Sequence, residues 1–266
     1  MTSSVISADG TRIGFEVRGV GPGLILLHGG TADRTRWAQV APILAERFTL
    51  YLVDRRGRGL SGDGPEAAYT IEREAEDLLA VAEAAAGANG LVHLLGHSYG
   101  ALITLETLPR GGPFDRVVLY EPPFRTNGLA VFPSGVLDTM AERLAADDRD
   151  GVLAAFFRGA IGLDEAAVDA QRRTPMWPAR LAAAHTIVRE GRVADTYRPR
   201  PELSRLTVPV RFLLGTDSPE YVRAATRAAH RTVPGSDILD LPGQAHMAMD
   251  TIPEKFAGVV TDFLLS

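Results

Sequence analysis

The 266-residue sequence predicts an α/β fold in which a mostly parallel sheet is flanked by helices and carries an inserted helical lid. Three observations lead there. Short apolar runs alternate with amphipathic stretches, the pattern of strands joined by crossover helices. The run Leu94-Leu95-Gly96-His97-Ser98-Tyr99-Gly100 sets a serine between two glycines where an apolar strand gives way to a helix. Between Pro122 and Pro209 the strand signal disappears and helical periods replace it.

In chain order, strands are expected at Arg12–Val17, Gly23–Leu27, Phe48–Val53, Leu91–Leu95, Val117–Tyr120, Val210–Leu214 and Ser236–Leu241. The first is expected to pair antiparallel with the next through a hairpin around Gly19-Val20-Gly21-Pro22. Core helices are expected at Arg36–Ala45, Ile71–Ala86, Tyr99–Thr107, Pro219–His230 and Pro253–Leu264. The lid reads as helices at Val136–Ala146, Gly151–Ile161, Glu165–Arg172 and Ala179–Glu190. Prolines 175, 178, 199 and 201 punctuate it, because proline lacks an N–H and clashes with the preceding turn. The chain thus divides into a core of 1–121 and 209–266 and a lid of 122–208.

Composition narrows the function classes. With no cysteine, disulfides, thiolate catalysis and cysteine metal sites are excluded. A net charge of −5 with scattered basic residues gives no footprint for nucleic acid or a membrane surface. The N-terminus has no charged segment followed by an apolar core, and no stretch approaches a membrane span, so a cytoplasmic protein is expected. Oligomeric state is not legible.

The Gly96–Gly100 turn has the form of a nucleophile elbow, a sharp strand-to-helix turn that lifts the Ser98 hydroxyl clear of the sheet and tolerates only small neighbours. A serine hydroxyl is a weak nucleophile until a base removes its proton. His246, in the loop between the last strand and the last helix, can reach the carboxyl edge of the sheet, where ligands of open α/β sheets bind. The turn His28-Gly29-Gly30 at the end of an earlier strand supplies an oxyanion site, whose donors are assigned to the N–H groups of Gly30 and Tyr99. Asp54 and Arg56, in the turn after the following strand, read as loop braces.

These pieces, in this order, resemble the α/β-hydrolase superfamily over most of the chain. The resemblance implies an eight-stranded-type sheet, a helical cap at the lid segment and serine-based catalysis without metal or organic cofactor. It leaves the bond open, since the family cleaves many kinds of ester, lactone, amide and carbon–carbon bond. The triad acid departs from the family pattern, which commonly places it three residues after Gly215, at Ser218 here. Asp217 stands one residue early. Glu121, in Val117-Val118-Leu119-Tyr120-Glu121-Pro122-Pro123, is the other candidate, and an acid at that position resembles zearalenone-type lactonases and several haloalkane dehalogenases. Both stay open, with Glu121 preferred because a charge ending an apolar strand must find a partner.

The expected substrate is a medium-sized, largely apolar ester or lactone. Candidate pocket residues are His28, Phe124, Arg125, Phe132, Phe157 and Trp177. Amide or peptide hydrolysis of the proline iminopeptidase kind is an alternative, as are a cofactor-free lyase, cyclase or oxygenase and a ligand-binding receptor on the same scaffold.

Overall fold

A computed structural model describes residues 1–87 and 90–266. Eight strands form one sheet: β1 (Thr2–Ile6), β2 (Arg12–Arg18), β3 (Gly23–Leu27), β4 (Thr49–Val53), β5 (Val92–His97), β6 (Phe114–Tyr120), β7 (Val210–Gly215) and β8 (Asp237–Leu241). Their spatial order is β1-β2-β4-β3-β5-β6-β7-β8. Strand β2 runs antiparallel to both its neighbours, β1 and β4, and every pairing from β4 to β8 is parallel. The fold class is therefore the one expected, with four local corrections, the first being that the helix expected at Ala179–Glu190 is two, Trp177–Ala182 and Ala184–Thr196, broken at Ala183. The hairpin around Gly19–Pro22 does not form, because β2 pairs with β1 and β4 while β3 lies between β4 and β5. Strand β1 went unpredicted: its residues are almost all exposed, so it carries no alternation. The helix expected at Arg36–Ala45 is two short pieces, a 3₁₀ turn Arg34–Trp37 capped by Asp33 and α1 (Ala41–Leu44).

Side chains of period two fill both faces. Leu24 and Leu26 join Leu44, Phe256 and Val260 on one side, and Ile25 and Leu27 join Leu78, Leu102 and Ile103 on the other. The covering helices include α2 (Ile71–Ala86) and α3 (Tyr99–Thr107). Between β6 and β7 come five helices: α4 (Val136–Ala145), α5 (Arg149–Gly159), α6 (Glu165–Arg172), α7 (Trp177–Ala182) and α8 (Ala184–Thr196). The chain closes with α9 (Glu220–Thr232), β8, α10 (Ala248–Thr251) and α11 (Pro253–Leu264). Among the described residues no helix is long and apolar enough to cross a membrane.

A buried charge network joins α8 to the core. The Arg55 guanidinium forms a two-pronged pair with Glu74 of α2, at 2.8 and 2.5 Å, and reaches Glu190 of α8 at 2.9 Å. Arg58 bonds both Thr186 and Glu190. Beside it, Arg189 grips Asp63 through two bonds of 2.9 Å. Asp54 and Arg56 brace their loop as expected, Asp54 accepting from the Arg34 and Leu60 amides at 2.7 Å and Arg56 pairing with Asp77.

Removing one partner of a buried pair strands the other without water. Glu190→Ala is expected to lower unfolding stability by about 3–5 kcal/mol, because Glu190 is the only carboxylate that pairs with Arg58 among the described residues. Urea denaturation with the slope held common to both proteins checks this.

Candidate active site

Strand β5 ends at His97 and α3 begins at Tyr99, leaving Ser98 as the single residue of the turn. Its φ of 55° and ψ of −124° lie outside the ordinary regions for a side-chain-bearing residue, and its N–H donates to the Tyr120 carbonyl at 2.8 Å. The flanking glycines make this possible. A Cβ on Gly96 would meet Thr104 Oγ1 at 2.7 Å, and one on Gly100 would meet the carbonyl oxygens of Leu27 and His28 at 2.3 and 2.6 Å. Strand, helix and the preceding loop approach here more closely than any side chain permits.

His246 lies in the loop between β8 and α10. Its Nδ1 bonds Glu121 Oε2 at 2.5 Å. The other oxygen, Oε1, accepts from Gly215 N at 2.8 Å and from Ser218 Oγ at 2.6 Å, so this fully buried carboxylate is satisfied by three donors. Glu121 itself has a φ of 53°. Asp217 takes no part: it is exposed, its Oδ1 accepts from Thr216 Oγ1 at 3.0 Å, and it borders a neighbouring depression of about 420 Å³. Among the described residues it makes no hydrogen bond or ion pair with His246, whose Nδ1 is taken by Glu121.

The histidine loop is held from below by two residues that sequence reasoning did not single out as supports. His97 contacts the His246 carbonyl through Nε2 at 3.0 Å, its ring 4.6 Å from the His246 ring. Burial, and then the neighbouring His246, push the His97 pKa well below that of a free imidazole, so the neutral ring donates from Nε2. The Tyr120 hydroxyl donates to the Ala245 carbonyl and accepts from Ala248 N at 3.2 Å. The only available signal was position: His97 lies inside the elbow and Tyr120 directly precedes Glu121.

Gly30 and Tyr99 border the same cavity as Ser98 and His246. The loop that carries Gly30 is braced by His28, which bonds the Gly29 carbonyl through Nδ1 at 2.8 Å and accepts from Arg55 N at 3.3 Å through Nε2. Burial foremost, with Arg58 and Arg55 adding to it, depresses the His28 pKa, which suits this neutral tautomer. Thr31, directly after Gly30, adopts a φ of 54°.

The cavity has a volume of about 550 Å³. Of the expected pocket residues, Phe132 and Phe157 line it, and Phe156 and Met176 lie beside them. His28, Phe124, Arg125 and Trp177 do not. His28 is fully buried beneath the loop, Phe124 packs edge-on against Tyr197, Trp177 stacks behind Phe157, and Arg125 is engaged by Asp195 at 2.6 Å. The wall also holds four charged side chains not anticipated, Arg36, Arg180, Glu190 and Asp250.

The alpha/beta hydrolase family model matches residues 24–259. An alpha/beta hydrolase from Sphaerobacter thermophilus shares 32% identity and a TM-score of 0.84, over 98% of this chain and 99% of that one. An esterase from Rhodococcus sp. shares 27% identity and a TM-score of 0.77, over 100% and 98% of the two chains. An N-formylmaleamate deformylase from Pseudomonas putida is 40% identical over 131 residues, which span 48% of this chain and 48% of that protein.

Two glycine substitutions separate close approach from backbone freedom. Gly100→Ala is expected to cost about 1–3 kcal/mol or more through overpacking. Gly258→Ala, in the exposed face of α11 with open space around it, is expected to add about 0.5–1 kcal/mol. Parallel thermal unfolding of the two variants reads the opposite signs.

Proposed function

The chain belongs to the alpha/beta hydrolase family, and from that premise we propose that it is a serine hydrolase cleaving a carboxylic ester or lactone of a medium-sized, largely apolar molecule. The observation that carries this reading is the juxtaposition of a strained, glycine-flanked Ser98 with the Glu121-bound His246 around one largely apolar cavity.

With Nδ1 committed to Glu121, His246 offers Nε2 to the Ser98 hydroxyl. His246 removes the proton as Ser98 Oγ attacks the carbonyl carbon, and the electron pair of the C=O bond moves onto oxygen. The Gly30 and Tyr99 amides stabilise that oxyanion, Tyr99 adding the positive end of α3. Collapse of the intermediate expels the alcohol, which takes its proton from His246. Water then repeats the sequence on the acyl-serine and restores the free hydroxyl. Glu121 stays ionised throughout, orients the ring and offsets the imidazolium charge. The helices of 122–208 serve as the lid that supplies the apolar wall.

Amide cleavage is a second reading, favoured by the deformylase among the relatives. It uses the same residues with an amine as the leaving group. The receptor reading predicts saturable ligand binding without turnover, and the lyase, cyclase or oxygenase reading predicts turnover without an acyl-serine.

Short p-nitrophenyl esters are expected to be hydrolysed and to leave a trappable acyl group on Ser98, detected by mass spectrometry. Ser98→Ala is expected to reduce kcat on the order of 10⁴-fold or more. Unchanged hydrolysis in Ser98→Ala, with no labelling by a serine-directed phosphonate, would overturn the proposal. Glu121→Ala is expected to lower kcat on the order of 10³–10⁴-fold, and Asp217→Ala to leave turnover near the parent level. The reverse ranking would make Asp217 the acid.

A further inference from the structure

The charges around the cavity do not cancel residue by residue. Arg36 bonds Asp250, and Glu190 is engaged by both Arg55 and Arg58. Glu74 completes that network, so two arginines face two glutamates there. Arg180 is the exception. Among the described residues no carboxylate lies within ion-pair distance of its guanidinium. Its Nε donates to the Thr31 carbonyl at 3.3 Å and its Nη1 to Gln171 Oε1 at 2.7 Å, and the group lies 5.1 Å from the Phe157 ring centre. All three partners are neutral. Burial, with Arg36 nearby, lowers its pKa, and Asp33 only partly opposes this; the Asp33 carboxylate is occupied by the Thr35 amide at 2.8 Å. An arginine stays protonated even so.

Arg180 therefore presents an unbalanced positive charge to a mainly apolar cavity. A guanidinium fixed by neutral acceptors keeps N–H donors and a forked geometry that matches a carboxylate. Its neighbours make one polar end of the wall: Thr31, Gln171 and Thr174 border the cavity beside it, and Thr174 Oγ1 is fixed to the Gln171 carbonyl at 2.7 Å. The tether to Thr31, one residue past Gly30, puts this polar end on the oxyanion-loop side. His246, which protonates the leaving group, borders the neighbouring depression that Asp217 also lines. The leaving group is thereby assigned to the His246 side and the acyl group to the Arg180 side.

We propose that the acyl part of the substrate carries a free carboxylate and that Arg180, positioned by Thr31 and Gln171, receives it. This deepens the hydrolase reading and rests on it for the orientation of the acyl group. The substrate is then a half-ester, half-amide or lactone acid: an apolar body with one anionic end. Arg125, the arginine among the candidate pocket residues, is spent on Asp195.

The test compares two esters of matched chain length, mono-p-nitrophenyl adipate and p-nitrophenyl hexanoate, on the parent protein, Arg180→Gln and Arg180→Lys. The parent is expected to favour the adipate half-ester. Arg180→Gln is expected to reduce the adipate-to-hexanoate ratio of kcat/KM on the order of tenfold to a hundredfold, chiefly through KM. Arg180→Lys is expected to recover part of the ratio, and it supplies the reading if the glutamine variant does not fold. An unchanged ratio overturns the proposal. Equal slowing on both esters also overturns it and places the guanidinium on the oxyanion instead. Calorimetric binding of adipate to the Ser98→Ala protein separates the two levels of the argument. Arg180-dependent binding by a parent that turns over neither ester sinks the hydrolase reading but keeps the anion site; turnover without such binding sinks only the anion site.

Discussion

A carboxylate with no exposed surface, at the end of β6, ties three separated segments together. Glu121 takes one hydrogen bond from the last residue of β7, one from the loop that follows it and one from the histidine loop after β8. An ionised carboxylate out of contact with water is tolerable only when its lone pairs are filled, and losing any one donor leaves a charge that nothing else can solvate. The three donors therefore define each other's positions. Ser218 shows how: from the loop after β7 its hydroxyl donates to Glu121 Oε1, the oxygen that also accepts from Gly215 N.

The same edge of the sheet concentrates backbone strain. β3, β5 and β6 are adjacent, and shortly past the end of each stands a non-glycine residue in the left-handed region: Thr31, Ser98 and Glu121, with φ of 54°, 55° and 53°. Such conformations cost of order 1–3 kcal/mol each and persist where the surroundings over-determine them. The parallel strands behind them provide that constraint, being buried on both faces, with β5 buried at all six positions. Each turn bends the chain back over the carboxyl edge. One carries the Gly29-Gly30 loop, one the Ser98 hydroxyl and one the Glu121 carboxylate, so the three groups come from turns that follow neighbouring strands.

That geometry explains which parts were legible. Ser98, His246, Gly30 and Tyr99 are legible as candidates because the steric demands of the turns leave glycines at fixed spacing, and Glu121 because a charge ending an apolar run needs a partner; the structure sets the first four around one cavity and pairs Glu121 with His246. α2, α3, α6 and α11 matched their expected spans, since periodicity and caps are local properties. Other features were settled by distant contacts. Gly19-Val20-Gly21-Pro22 has the residues of a hairpin, yet β4 inserts beside β2, and nothing local announces that. Phe124 and Trp177 are as aromatic as Phe132 and Phe157, but which ring faces the cavity depends on how the lid helices pack. Arg125 and Arg180 are indistinguishable as residue types, and only the fold decides that Asp195 neutralises one of them.

Helix α8 also brings a charge to the Gly29-Gly30 loop. Glu190 approaches Gly30 closely enough that a Cβ there would lie 3.4 Å from its Oε2. Left alone, an anion beside Gly30 would oppose negative charge developing next to that loop, since Coulomb terms strengthen as water is excluded. Arg55 and Arg58 cancel it, and Arg55 also lies 4.6 Å over the Tyr99 ring, beside the second donor. Held neutral by burial, His28 and His97 add no compensating charge. Glu190 therefore fastens α8 to the core while Arg55 and Arg58 neutralise its charge, and the Arg180 guanidinium, held by neutral partners, has no carboxylate beside it among the described residues.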